Sequence, residues 1–127
     1  MKDLAGTFAA ARTEGRAVLV GYLPVGAASV STFTAMVAAG VDVVEVGLPY
    51  SDPVIDGPVI QEAVEAALAA GTTPADVLRT VEAVAATGTP ALVMTYWNPI
   101  EQYGVDRFAA DLAAAGGAGD CQLAEES

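Results

Sequence analysis

The sequence predicts an α/β fold in which parallel strands lie side by side beneath covering helices. Two observations carry this. Three apolar runs, at residues 17–25, 41–48 and 91–96, are rich in Val, Leu and Ala and are bounded by Gly or Pro. Such runs read as strands buried on both faces, the habit of parallel sheets. Around them apolar residues recur at helical spacing, so the order is one helix, then strand–helix repeated three times. A parallel pair needs a crossover, and a helix supplies it. This is the first part of either a (β/α)8 barrel or a doubly wound sheet. No G-x-G-x-x-G follows the first run, which lowers the dinucleotide-binding option. At 127 residues the chain is read as a single domain, 1–127, large enough for a real core.

Residues 4–16 place Leu4, Phe8 and Ala11 on one stripe with Arg12 and Glu14 outside, an amphipathic opening helix. The 17–25 run carries almost no polar group and ends at Gly26. Ser29 or Ser31 can cap a helix over 32–39, whose apolar face includes Phe33, Met36 and Val37; Gly40 stops it. After the second strand comes a turn region holding Pro49, Pro53 and Pro58. Residues 59–70 then read as a helix with Ile60, Val64 and Leu68 in line and Gly71 as its stop. Thr73 and Pro74 are the cap and first residue of another helix, reaching about Ala86. Pro90 leads into the third strand, Asn98-Pro99 turns the chain, and 104–115 is helical with Val105, Phe108 and Leu112 aligned. The following GGAGDCQLAEES holds no apolar run and is not expected to start a fourth strand.

The stretch 41–61, VDVVEVGLPYSDPVIDGPVIQ, carries the chemistry. Alternation puts Val43, Glu45 and Gly47 on one face and Val44, Val46 and Leu48 on the other. Asp42 belongs to the second face, but at the strand's start it can reach water. An acid in the middle of a buried strand is costly unless it has a job or a partner. In a barrel, functional residues gather at the C-terminal ends of strands. Glu45, Asp56, Tyr22 and Tyr96 all fall near or just past such ends. A carboxyl looking into a barrel mouth is poorly solvated, which suits it to hold and release a proton near neutral pH. Simpler readings stand beside this one. Glu45 could be paired with a Lys or Arg from another strand, and Asp56 before Gly57-Pro58 could be a turn or N-cap residue. Tyr22 and Tyr96 could be pocket walls, Asp52-Pro53 a rigid turn, and Cys121 inert.

Composition narrows the partners. A net charge of −11 argues against nucleic acid and anionic membranes, which demand basic surface. It leaves room for a phosphate held locally by backbone N–H groups. The chain has no His, so proton transfer falls to carboxylates, Tyr, Lys or the one Cys. No apolar run approaches the roughly 20 residues needed to span a bilayer. The N-terminal segment has no apolar signal-peptide core, and a lone cysteine excludes an internal disulfide, so a cytoplasmic protein is expected. A closed barrel needs eight strands and about 250 residues. Three parallel strands leave two open edges and an apolar face without a lid. Either more chain or an assembly partner is expected to cover them.

Glu45-Val46-Gly47-Leu48-Pro49-Tyr50-Ser51-Asp52-Pro53, followed by Asp56-Gly57-Pro58 and Ile60-Gln61, resembles the signature of the tryptophan synthase alpha subunit. Met94-Thr95-Tyr96-Trp97-Asn98-Pro99-Ile100 with Tyr103-Gly104 resembles that family's third strand and the loop after it. The likeness runs to about Gly119, close to half of a family chain. Gly26-Ala27-Ala28 departs from it, since many relatives carry an acid or aromatic and then a proline there. The resemblance implies a TIM barrel, of which this chain supplies the N-terminal helix and first three β/α units. The family's fourth strand and late phosphate-binding loops are not found in the sequence. It also implies a lyase of tryptophan biosynthesis that cleaves indole-3-glycerol phosphate to indole and glyceraldehyde 3-phosphate. The alpha subunit uses no cofactor; pyridoxal phosphate belongs to the beta subunit, its partner in an alpha2beta2-type complex. By the resemblance Glu45 is the general acid/base and Asp56 the acid that meets the indole N–H. Tyr22, Met94 and Tyr96 surround the indole pocket, and Pro49, Asp52 and Asn98 face the beta subunit. The alternative is a non-catalytic half-barrel that only binds a partner or self-associates.

Overall fold

The structure, a computed structural model, describes residues 3–52 and 55–122, with side chains as far as Asp120. Helix α1 (Leu4–Thr13) opens on Asp3, whose carboxylate accepts the Gly6 N–H at 2.6 Å. It closes earlier than the expected Arg16 because Gly15 takes a left-handed conformation, φ 69°. Strand β1 (Val20–Pro24) leads to α2 (Val30–Ala38), which Ser29 caps rather than Ser31. Then come β2 (Val43–Gly47), α3 (Pro58–Ala69) and α4 (Pro74–Ala85), the last with Thr73 as N-cap and Pro74 in the first turn. Strand β3 (Ala91–Thr95) is followed by α5 (Trp97–Tyr103) and α6 (Val105–Ala114). The chain then enters β4 (Gly119–Gln122).

The sheet is wholly parallel in the order β1-β2-β3-β4, so each strand lies beside its predecessor. Val44, Val46, Leu48, Ala91 and Val93 form one face and pack with Phe33, Val77, Val81, Val84, Ile100, Phe108 and Leu112 of the helices into one core. Each fully buried aliphatic side chain contributes roughly 1.5–3 kcal/mol. The opposite face, with Tyr22, Glu45, Leu92 and Met94, lies outside that core. At the end of β1, Gly26 adopts φ 93°, and a Cβ there would stand 2.9 Å from the Ala67 Cβ of α3. A glycine therefore lets the first βα connection rest against α3.

Three expectations are corrected. A fourth strand exists: β4 pairs in parallel with β3, Leu92 opposite Gly119 through Thr95 opposite Gln122. Its backbone ladder, not apolar content, places it there. Asn98-Pro99 does not turn the chain but starts α5, where Pro99 occupies the first turn and its missing N–H breaks no intrahelical bond. The 17–25 run is shorter as a strand and is not buried on both faces; Leu19 is 58% and Val20 43% exposed. Among the described residues β1 is an edge strand, with β2 on one side only. Pro53 and the side chain of Cys121 lie outside the described residues.

Candidate active site

Strand β2 carries the one carboxylate found in β1, β2 or β3. Register places Glu45 beside Tyr22 of β1 and Leu92 of β3, on the face turned away from the helices. It is half-buried. Among the described residues, the arginines that form ion pairs meet Glu14, Asp42, Asp76 and Asp111, and none meets Glu45. The simpler reading of Glu45 as half of an inter-strand ion pair therefore finds no partner there. Asp42 does have one: its carboxylate accepts from Arg16 at 3.0 Å and from the Leu19 N–H at 2.9 Å, holding the entry of β1 to the entry of β2.

Tyr22 leans along this face toward the strand ends. Its pKa is pushed up to about 12, first by burial and then by the nearby Asp56, Tyr96 and Glu45. The phenol is thus a neutral hydrogen-bonding group at any physiological pH. Gly47 leaves space for it: a Cβ on Gly47 would lie 2.8 Å from both the Tyr22 hydroxyl and its ring carbon Cε2. Met94, opposite Gly47 in the register, is half-buried on the same face.

Tyr96 follows β3 and is the N-cap residue of α5, with only 2% of its surface exposed. Its ring packs on Tyr50, centroids 5.3 Å apart and planes tilted by 39°. Its hydroxyl accepts the Ile55 N–H at 3.1 Å and lies near the Asp56 carboxyl. Asp56 itself is half-buried in the connection from β2 to α3. Burial raises its pKa, while the Tyr96 hydrogen bond acts in the opposite direction by favouring the anion. Asp56 is not the helix cap; Gly57 is. The Gln61 side-chain amide donates to the Asp56 carbonyl at 2.7 Å, tying the connection to the first turns of α3.

The sequence-derived residues thus fall into two groups. Tyr22, Glu45 and Met94 share the open face of the sheet, and Asp56 with Tyr96 stands just past its strand ends. Pro49 and Asn98 instead line a cavity of about 490 Å³, together with Leu48, Ser51, Tyr103 and Arg107. Asp52 is exposed and does not line it. Sequence reasoning missed Gly47, Tyr50 and the Ile55 amide as members of the site. A glycine inside a strand, two residues from the acid on the same face, was the available signal for a close approach at Gly47. Nothing marks a backbone N–H in advance.

The arrangement offers an apolar aromatic surface with one carboxyl set in it and a second carboxylate, held by a phenol, at its end. That can move a proton and stabilise positive charge on a flat ligand. Among the described residues no cluster of acids, Cys or His is fit to hold a metal, and no helix is long and apolar enough to cross a membrane.

Residues 8–120 match the family model of the tryptophan synthase alpha chain. The tryptophan synthase alpha chain of Thermobifida fusca is 64% identical over 123 residues, covering 94% of this chain and 46% of the relative. That of Salinispora tropica is 63% identical over the same length and coverage. Among solved structures, tryptophan synthase from M. tuberculosis in its aminoacrylate-bound form superposes with a TM-score of 0.89 at 53% identity, covering 92% of this chain and 49% of that one. The alpha subunit from Legionella pneumophila gives 0.91 at 38% identity, covering 97% and 49%. The chain spans about half the length of the curated relatives it matches. Its four-stranded parallel sheet with flanking helices is accordingly a partial TIM barrel. The chain belongs to the tryptophan synthase alpha chain family.

Proposed function

We propose that this chain carries part of the active site of a lyase that cleaves indole-3-glycerol phosphate to indole and glyceraldehyde 3-phosphate, a step of L-tryptophan biosynthesis. The observation that carries the reading is Glu45, a half-buried carboxyl without an ion-pair partner among the described residues, set beside Tyr22 on the face outside the helix-packed core. Breaking the bond requires a proton on the indole ring carbon and removal of one from the glycerol hydroxyl. One carboxyl can give the first and take the second in turn, so protons balance without a further acid. Asp56, as an anion near the indole N–H, stabilises the positive charge that ring protonation creates. Tyr22, Met94 and Tyr96 wall the indole. No cofactor is assigned to this chain; pyridoxal phosphate belongs to a beta subunit, the partner expected to meet Pro49, Asp52 and Asn98.

A second reading is a half-barrel that binds a partner or itself without turnover. Its support is the pair of sheet edges: β1 and β4 each have one neighbour strand among the described residues. An assay of indole release from indole-3-glycerol phosphate separates the two, run with and without a beta subunit. The chain is completed to the length of its relatives for this assay. Indole release supports the lyase; its absence in both arms leaves the binding role.

A further inference from the structure

We infer that Tyr96 is a positioning residue, not only a pocket wall: its hydroxyl accepts the Ile55 amide, next in the chain to Asp56, and so fixes the direction in which Asp56 meets a ligand. The kinetic part of this inference rests on the cleavage reaction proposed above; the structural part does not.

A wall needs only a ring. Here the ring is 2% exposed, sits against Tyr50, and has its backbone fixed at the start of α5 with φ −75° and ψ 165°. The preceding residue, Thr95, is 1% exposed in a strand with neighbours on both sides, so the anchor is rigid. A phenol oxygen that accepts an N–H still has its own proton to give. Tyr96 accepts from Ile55 at 3.1 Å, and its own proton remains for the neighbouring Asp56 carboxyl, whose pKa the contact lowers. Burial raises the Tyr96 pKa, which keeps that proton in place. Asp56, by contrast, sits on a connection between elements. Its tie from Gln61 reaches its main-chain carbonyl and not its carboxyl. A functional group on a loop needs a support on a rigid element, and Tyr96 supplies it. Losing that support misaims the anion. Misaiming weakens interactions that strengthen in the transition state more than it weakens ground-state binding.

The test is Tyr96→Phe, which keeps the ring and removes the hydroxyl. In the 127-residue chain, the Ile55 amide is expected to exchange its hydrogen about tenfold faster, the scale of one lost hydrogen bond. Amides of β2 and β3 should be unaffected and report that the fold is intact. Unchanged exchange at Ile55 overturns the inference. Should the variant not fold, Asp56→Ala reads the same contact from the other side: the Tyr96 phenol carbon resonance is expected to shift, and an unmoved resonance overturns the inference. In the chain completed to the relatives' length, Tyr96→Phe should lower kcat for indole release roughly tenfold to a hundredfold while KM stays within about threefold. A wall-only role predicts wild-type kcat for Phe and a raised KM for Tyr96→Leu, and that pattern also overturns it. If the completed wild-type chain releases no indole, the proposed reaction fails, while the exchange result at Ile55 still decides the contact.

Discussion

Tyr22 lies over Gly47: the ring of one strand occupies the space where its neighbour's next side chain on that face would begin. The two are partners in shape, so Gly47→Ala forces either residue to move. The expected cost is about 1–3 kcal/mol, the usual range for adding a carbon to a filled space. Chemical denaturation should show it. In a Tyr22→Ala background the same change should cost much less, and additive effects would mean that the two do not meet.

Glu45→Gln keeps size and most hydrogen bonding but removes proton transfer. In the completed chain it is expected to lower indole release on the order of 10²–10⁴-fold while substrate still binds. Turnover near wild type would assign the acid/base role to another group.

Asp56 and Asp76 should move stability in opposite directions with pH. The folded-state pKa of Asp56 is raised by burial, so the folded protein binds the Asp56 proton more tightly than the unfolded chain. Its contribution is greatest below the unfolded value of about 3.9 and declines as pH rises through the folded value. Asp76 is lowered, chiefly by the Thr73 N–H it accepts at 2.8 Å, so its contribution is present above the unfolded value and lost as pH falls. Asp56→Asn should therefore be at least as stable as wild type at pH 7, with the difference shrinking toward pH 3. Asp76→Asn should be less stable at pH 7. Denaturation midpoints across pH 3–7 check both, and like-signed effects would refute the assignment.

Alkaline titration offers a further check on the open face. With its pKa near 12, Tyr22 should ionise late, and its stabilising contribution should fade between about pH 10 and 12. Tyrosinate absorbance of Tyr22→Phe should be reduced in that late phase.

The 127-residue chain by itself is expected to release indole far more slowly than the chain completed to the relatives' length. A remote phosphate normally supplies the binding energy that holds such a substrate in its reactive geometry. In barrels of this kind the late loops grip it. Equal rates from the two chains would show that phosphate binding is dispensable or is supplied by this half.

What could be read from the sequence follows from which forces write themselves into side chains. Alternation fixed the face of Glu45 because Val44 and Val46 had to meet helices, and the structure places them there. Thr73-Pro74 announced α4 because capping is local chemistry. Strand β4 was invisible because its backbone pairs with β3, Ala118 N–H to Ala91 O at 2.8 Å, with no apolar run to betray it. Helix α5 was hidden by Asn-Pro, which marks a turn in isolation and a first helical turn here. Contacts made late in space, such as Tyr96 with Ile55 across 41 positions, leave no periodic trace.

The agreement between sheet order and chain order has a temporal consequence. A ribosome delivers β1 first, and each later strand then docks beside one already made, with no vacant slot to be held for a distant segment. Each closure spans only the crossover between neighbouring strands, the longest running from Gly47 to Ala91, which favours stepwise assembly during synthesis. Glu45 is thus seated when β2 docks, and its surroundings are completed when β3 brings Tyr96 up to the waiting β2–α3 connection.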